Sequence, residues 1–283
     1  MLARVPAVEV FDGVFSSATC AALHEHASSR GLGHALYSRS SGPSTPLEHA
    51  FESFLSELGD PSANVEYWSR QEWKHIEAHA DVDEALAAKG GPMRYPSFGH
   101  VMYLSVGPRV NGPTCVWQPG EKGGRFGGAL SVVPAVEGRV LRFQGQLQHA
   151  VPRPADVWLA PFAISQSGTK EDFMRSVVLF NCWPDEDAPP LDVERDPPAL
   201  VERLPQDNSL FHAAPRERWD AIRMRAAQHS GGQSATTMKL WLLGDEARRG
   251  QAERTRPMRV DAEATLDAFM EPIECTTLEP IEQ

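Results

Sequence analysis

The chain has 283 residues, 41% of them hydrophobic, so it can bury a sizeable core as one large domain or as a domain with an appendage. Its formal net charge of -11 argues against a surface for nucleic acids or anionic membranes. No apolar run reaches about 18 residues, which argues against a transmembrane helix. The four cysteines form neither a metal-type pair nor a disulfide framework. We therefore expect an intracellular, cytoplasmic protein, and the composition leaves its oligomeric state open.

The first 60 residues predict one short strand and two helices. Residues 8–15 indicate a strand and a turn, and Ser16 and Ser17 are suited to cap a helix that runs through residue 26. His24 and His26 are expected on the solvent side of this helix. Residues 31–46 are typical of a loop. A second amphipathic helix is predicted at 46–58, with Leu47, Phe51, Phe54 and Leu55 on its apolar side.

From residue 64 onwards the pattern changes to short strands separated by Pro and Gly. The segments are 65–68, 73–81, 100–106, 114–117, 129–133, 139–143, 148–151, 157–164 and 175–183. Strands at this spacing are typical of a β-sandwich or barrel. Residues 83–89 indicate a short helix or an exposed loop.

The composition shifts again after residue 183. Residues 184–205, rich in Pro and acids, are typical of a linker or wrapping loop. A helix is predicted at 216–228, a strand at 238–243 and a helix at 261–270. We expect this mixed extension, residues 184–283, to pack on a core domain of residues 1–183.

His79 and Asp81 are a candidate pair of metal ligands. Residues two apart in a strand share a face, so the imidazole and the carboxylate are able to hold one ion. In a helix, His75 and His79 would share a face instead, as in zinc peptidases, but those have Glu directly after the first His and this chain has Ile76.

His149 and Arg175 supply further parts of a site. Two His and one carboxylate suit non-haem Fe(II), and a jelly roll would bring His149 beside the earlier pair. A His that is hydrogen-bonded in the core is the alternative. Arg175 begins an apolar strand, where a buried cation requires an anionic partner. That partner is either a protein carboxylate or the far carboxylate of a small co-substrate.

Over residues 64–183 the chain resembles the Fe(II)/2-oxoglutarate-dependent dioxygenases, most of all their prolyl-hydroxylase-like branch. The order and spacing of several runs carry this resemblance. They are His79-Ala80-Asp81, Val101-Met102-Tyr103-Leu104-Ser105, Gly112-Pro113-Thr114-Cys115-Val116-Trp117, residues 133–143, His149, and Arg175 with its apolar strand. The resemblance implies a mainly β fold with flanking helices, whose core, from about residue 64, is a double-stranded β-helix (a cupin-like jelly roll).

The resemblance also implies roles for particular residues. His79, Asp81 and His149 would bind Fe(II), and Arg175 would pair with the far carboxylate of 2-oxoglutarate. Tyr103 matches a position whose hydroxyl helps to hold that carboxylate, and Thr114 is a weaker candidate nearby. Two departures stand out: many prolyl hydroxylases have Lys where this chain has Arg175, and the longer gap after His149 leaves Arg153 and Lys170 as rival anchors.

The implied reaction uses O2 and 2-oxoglutarate to hydroxylate an unactivated C–H bond of a small molecule or peptidyl side chain, releasing succinate and CO2. Glu77, Trp68, Arg70 and Trp117 are candidates for contacts with the substrate. Two alternatives are a zinc-type metallohydrolase that uses His75 and His79, and a non-catalytic jelly-roll binding protein.

Overall fold

The computed structural model describes residues 6–30, 33–72, 76–108, 110, 112–119, 128–151, 171–184, 190, 208–227, 235–241 and 255–279. His75, Arg153, Lys170 and the strand predicted at 157–164 lie outside these ranges, as does most of the segment 184–205. The helices are α1 (Ser17–Arg30), α2 (Pro46–Leu58), α3 (Glu84–Ala88) and α4 (Ala262–Met270), with 3-10 turns at Arg39–Ser41, Glu171–Phe173, Ser209–Phe211 and Arg216–Arg218. The strands are β1 (Val8–Asp12), β2 (Ala35–Ser38), β3 (Asn64–Glu72), β4 (Ile76–His79), β5 (Phe98–Val106), β6 (Thr114–Trp117), β7 (Leu130–Val133), β8 (Val140–Gln144), β9 (Gln148–Val151), β10 (Met174–Trp183), β11 (Asp220–Ala221), β12 (Arg225–Ala226), β13 (Ala235–Trp241), β14 (Thr255–Asp261) and β15 (Thr276–Leu278).

Two sheets form the core. The larger has the strand order β11-β1-β8-β5-β10-β3-β2, and the smaller has the order β12-β15-β7-β6-β9-β4. From β3 to β10 the chain passes back and forth between them: β3, β5, β8 and β10 lie in the large sheet, and β4, β6, β7 and β9 in the small one. Every pairing among these eight strands is antiparallel. This is the topology of a double-stranded β-helix, so the predicted fold class is confirmed.

The protein is packed in layers on both sides of each sheet. Between the sheets, Val101 and Val177 of the large sheet meet Val116 and Val133 of the small sheet. The outer face of the large sheet is covered by α1 and α2, and the outer face of the small sheet by α4, whose Phe269 is buried. Helices on the outside leave the space between the sheets to the candidate site.

Helix α2 follows the predicted pattern closely. Thr45 and Glu48 form a reciprocal capping box, and Pro46 occupies the first turn. The helix ends at Gly59, whose φ of 65° is a left-handed conformation that Gly adopts without steric cost. The predicted apolar side of the helix, which includes Phe51 and Phe54, is fully buried against the large sheet.

Several local predictions are wrong, and each failed because tertiary packing outweighed the local pattern. The segment 31–46 contains β2, which pairs with β3 and so extends the large sheet. In place of a helix at 216–228 there is a short 3-10 turn followed by β11 and β12, because Ala221 pairs with Phe11 and Arg225 with Thr276 at the edges of the two sheets. His26 is buried rather than solvent-facing, because α1 packs closely on the large sheet.

The described parts of the C-terminal extension contact the core. β11 pairs with β1, and β15 pairs with β7, so the extension adds strands to both sheets. The helix predicted at 261–270 is present, and the Asp261 carboxylate caps it by accepting hydrogen bonds from two backbone N–H groups. The domain boundary after residue 183 stays a prediction. None of the helices within the described ranges is long and apolar enough to cross a membrane, and all four cysteines are free and buried.

Candidate metal centre

Strands β4 and β9 bring the two predicted imidazoles together. They are neighbours in the small sheet, and His79 lies directly opposite His149 in their register. The two ring centroids are 4.3 Å apart. Side chains of directly opposed residues in an antiparallel pair lie on the same face, so both rings face the space between the sheets.

Asp81 follows the end of β4 and completes the cluster. Its Oδ1 lies 3.5 Å from Nε2 of His79, and its Oδ2 lies 3.8 Å from Nε2 of His149. One ligand atom from each of the three residues lies within 4.8 Å of the other two. The buried Asn181 of β10 hydrogen-bonds the Asp81 carboxylate from the opposite sheet and fixes its position.

Backbone carbonyls orient both imidazole rings. The Nδ1–H of His79 donates to the carbonyl oxygen of Glu77 at 2.7 Å, and the Nδ1–H of His149 donates to that of Leu147 at 3.3 Å. A carbonyl accepts only, so each bond fixes the tautomer and directs Nε2 towards Asp81. Such support by a carbonyl is typical of metal-ligating histidines, and this donor set fits a divalent metal.

The electrostatics of the cluster favour a cation. Burial works to raise the pKa of Asp81, but His149, His79 and the hydrogen bond from Asn181 outweigh it and hold that pKa well below its usual range. Burial and then the charge of His79 lower the pKa of His149 to about 4. Burial opposes protonation of His79 as well, yet the hydrogen bond and charge of Asp81 raise its pKa. At neutral pH the ionised Asp81 carboxylate therefore lies beside a neutral His149 imidazole, and both are in the protonation state that binds a metal ion.

Arg175, at the start of β10, is the second polar feature of the site. The residue is 3% exposed. Its Nε–H donates to the carbonyl oxygen of Gly112 at 3.1 Å, and its Nη2–H donates to Oγ1 of Thr114 at 3.0 Å. Thr114 Oγ1 also shares a 2.7 Å hydrogen bond with the Tyr103 hydroxyl, and the guanidinium lies 5.3 Å from the centroid of the Tyr103 ring. The three residues predicted to hold the co-substrate thus form one hydrogen-bonded group.

Within the described part of the chain, no carboxylate lies within ion-pair distance of Arg175. Burial lowers the pKa of Arg175, and the charge of Arg70 adds to that effect. A buried guanidinium that donates only to neutral oxygens retains most of the cost of leaving water. Among the described residues, Arg175 is therefore a candidate position for an anionic ligand.

A single cavity joins the imidazoles to this guanidinium. Its empty space, including the part that is open to solvent, amounts to about 420 Å³. Described residues from both sheets line it: Trp68, Arg70, Ile76, His79, Val101, Thr114, His149, Ala150, Val151, Arg175, Val177 and Leu179.

Two of the four predicted substrate residues face this cavity and two do not. Trp68 and Arg70 lie on its wall. Trp117 instead packs against the layer of α4, because Thr114 faces inward and a residue three positions further along a strand faces outward. Glu77 is not among the lining residues, because the register shift between Ile76 and His79 turns Ile76 inward in its place. What Glu77 contributes is its backbone carbonyl.

Sequence reasoning missed Asn181, Val177 and Leu179. All three lie at even spacing from Arg175 in β10, so the period of two in a strand would have placed them on the same face. It also missed His34, which stacks flat on Trp68 with centroids 4.4 Å apart and is held by a 3.0 Å hydrogen bond to Glu66. No local pattern in the sequence marks that contact.

The fold and the site together define a class: a double-stranded β-helix protein with two imidazoles and one carboxylate at one part of the cavity and a buried arginine at another. No protein-family model matches the chain, and a search of curated proteins finds no match. Among solved structures, the chain is similar to a Pseudomonas putida prolyl-4-hydroxylase, at 12% identity and a TM-score of 0.41, over 65% of this chain and 89% of that one. It is similar to HygX from Streptomyces hygroscopicus with nickel and 2-oxoglutarate bound, at 16% identity and a TM-score of 0.38, over 63% and 83%. It is also similar to EctD from S. alaskensis, at 14% identity and a TM-score of 0.37, over 68% and 84%. Likenesses at these identities and TM-scores do not identify an activity for this chain.

Proposed function

We propose that the chain is an Fe(II)- and 2-oxoglutarate-dependent dioxygenase that hydroxylates an unactivated C–H bond of a small molecule or a peptidyl side chain. The observation that supports the proposal is that a metal donor set and a buried arginine occur at the same cavity. His79, Asp81 and His149 form a three-residue donor set for a metal, and Arg175 is buried at the same cavity without a carboxylate partner among the described residues. Neither feature alone distinguishes this activity from other metal sites.

In this proposal His79, Asp81 and His149 would hold Fe(II), and a set of three protein ligands would leave room for the co-substrate. When bound, the metal and co-substrate supply the oxidative chemistry that couples decarboxylation, with release of succinate and CO2, to hydroxylation.

In this proposal the protein positions the co-substrate and excludes water from it. The guanidinium of Arg175 would bind the far carboxylate of 2-oxoglutarate in bidentate fashion, steadied by Thr114 and Tyr103. Val177 and Leu179 form an apolar wall next to this anchor. An apolar wall keeps water from the reacting atoms and strengthens the ionic contacts beside it.

The test is succinate formation by purified protein with Fe(II), ascorbate and 2-oxoglutarate. Succinate is measured without an added primary substrate, so the assay does not require its identity. We expect His79→Ala to abolish succinate formation and His212→Ala, at an exposed position outside the cavity lining, to leave it unchanged. Equal turnover by the wild type and His79→Ala would show that the proposed metal site is wrong.

The two alternatives give different results in the same experiments. A non-catalytic binding protein would bind metal and 2-oxoglutarate without producing succinate. A zinc-type hydrolase would hold its metal through His75 and His79, so His149→Ala would leave metal affinity unchanged. Residues 76–79 are a strand, so the helical spacing that such a motif requires does not extend over them.

A further inference from the structure

Arg70 is a second cation on the wall of the same cavity. It lies on β3 two residues after Trp68, and both side chains line the cavity. Its backbone pairs with Val177 of β10, which pairs on its other side with Tyr103 of β5. Arg70, Val177 and Tyr103 therefore lie in one row across the large sheet, with Arg70 and Tyr103 on opposite sides of β10.

Nothing in the described part of the protein neutralises this guanidinium. The Nε atom of Arg70 is buried and has no hydrogen-bond partner there, and no described carboxylate lies within ion-pair distance of the side chain. The acid on the same strand face, Glu66, is engaged elsewhere: it accepts hydrogen bonds from His34 at 3.0 Å and from Trp183 Nε1 at 3.1 Å.

Arg70 has no anionic partner among the described side chains once the metal and the co-substrate are placed as proposed. In that proposal Asp81 binds the metal and Arg175 pairs with the far carboxylate of 2-oxoglutarate, which leaves the guanidinium of Arg70 unpaired within the described ranges. Arg70 lies close enough to Arg175 for its charge to add to the effect of burial, which lowers the pKa of Arg175. An uncompensated cation at a partly buried site favours the binding of one further anionic group.

We infer that Arg70 binds a carboxylate of the primary substrate, so that the substrate class is a small carboxylic acid rather than a neutral molecule or an internal peptidyl side chain. This inference rests on the proposed function, which assigns Arg175 and the metal to 2-oxoglutarate. The guanidinium fork of Arg70 suits a carboxylate in bidentate geometry. The flat face of Trp68, backed by His34, lies two residues away on the same wall and would contact the body of the substrate.

The experiment measures a second anion site directly. Protein loaded with Ni(II) and saturated with 2-oxoglutarate is titrated with propionate, and with propionamide as the neutral isostere, by following tryptophan fluorescence and heat. We expect saturable binding of propionate but not of propionamide, weakened at least tenfold in Arg70→Gln. Arg225→Gln, at an exposed position, is the matched control and should bind as the wild type does. Inorganic sulfate and phosphate form further arms, and tighter binding of either would overturn the assignment to a carboxylate.

Failure of this inference is distinguishable from failure of the proposed function. The affinity for 2-oxoglutarate should change less than about threefold in Arg70→Gln and should fall steeply in Arg175→Gln. If Arg70→Gln weakened 2-oxoglutarate as much as Arg175→Gln, Arg70 would belong to the co-substrate site. Propionate binding that is absent in the wild type, or equal in the wild type and Arg70→Gln, would refute the inference. If 2-oxoglutarate did not bind, the proposed function would be wrong. Titration of Arg175→Gln with propionate in the absence of 2-oxoglutarate would still measure anion binding by Arg70.

Discussion

Replacing Arg175 by Gln tests whether this buried cation stabilises the fold through a protein partner or binds an anionic ligand. In a structural ion pair, removal of one partner leaves a buried charge and costs about 3–5 kcal/mol of stability. Among the described residues, the guanidinium donates to the carbonyl of Gly112 and the hydroxyl of Thr114, and the neutral Tyr103 hydroxyl is a further partner. The loss of those bonds is offset by the removal of a buried, unneutralised charge. We therefore expect the free energy of unfolding of the ligand-free protein to change by less than about 1.5 kcal/mol.

The ligand-bound protein should behave differently. Truncating a buried, hydrogen-bonded charge contact costs about 2–5 kcal/mol, which is roughly 30-fold to several thousand-fold in affinity. At 2-oxoglutarate concentrations of about 100 times the dissociation constant, the wild type should gain about 2.7 kcal/mol. Arg175→Gln should gain less than about 1 kcal/mol under the same conditions.

Urea unfolding of Ni(II)-loaded protein, with and without 2-oxoglutarate, measures both quantities, and calorimetric titration gives the affinities. Arg175→Lys keeps the charge but not the fork, and should fall between the wild type and the Gln variant. The reasoning would be refuted if the ligand-free Gln variant lost 3 kcal/mol or more, because Arg175 would then have a structural partner. It would also be refuted if 2-oxoglutarate stabilised the Gln variant as much as the wild type.

Three further predictions concern the metal, the pH dependence and the C-terminal extension. Asp81→Asn should weaken Ni(II) binding at least 100-fold in a chelator competition assay, because it removes the one anionic ligand of the described cluster; unchanged affinity would exclude Asp81 as a ligand. Burial and then the charge of Arg142 lower the pKa of His100 to about 3, whereas the unfolded chain titrates near 6.5. Since the unfolded state takes up the proton first, His100 makes the folded state less stable as the pH falls from about 6.5 towards 3, by at most about 1.4 kcal/mol per pH unit. His100→Phe should flatten the pH dependence of urea unfolding, and an unchanged slope would contradict the cause given. Phe269→Ala should cost about 3–5 kcal/mol in urea unfolding of the whole chain, whereas Leu266→Ala, 48% exposed on the same helix, should cost under about 0.5 kcal/mol; equal small effects would mean that α4 does not stabilise the core.

The sequence predicts best where local chemistry and tertiary structure agree. Helix α2 has its Thr45–Glu48 capping box, its Gly59 terminator and an apolar side at helical spacing, and all of them can be recognised from the sequence alone. The strands from β3 to β10 can likewise be recognised in the sequence, because Pro and Gly residues separate most of them. The pairing of His79 with His149 required the resemblance, because strand pairing depends on contacts far apart in sequence.

Two of the remaining errors have tertiary causes. The helix predicted over 216–228 gives way to two-residue strands because the free edges of β1 and β15 offer backbone partners. The expected inward position of Glu77 assumed a regular strand over residues 74–81, and the register shift between Ile76 and His79 breaks the period of two. Trp117 was a different kind of error, because its odd spacing from Thr114 already indicates the opposite face.

Strand β10 sets both polar ends of the cavity. Its Arg175 forms the anion site, its Asn181 fixes the Asp81 carboxylate, and Val177 and Leu179 form the apolar wall between them. The alternate residues Val178 and Phe180 pack outward against the helices. Because a slip of one residue exchanges the two faces of a strand, a register change in β10 would bury the guanidinium under α1 and α2 and present apolar side chains to the metal. The antiparallel pairing of β10 with β3 and β5 therefore fixes the position of Asn181, which holds Asp81, relative to Arg175.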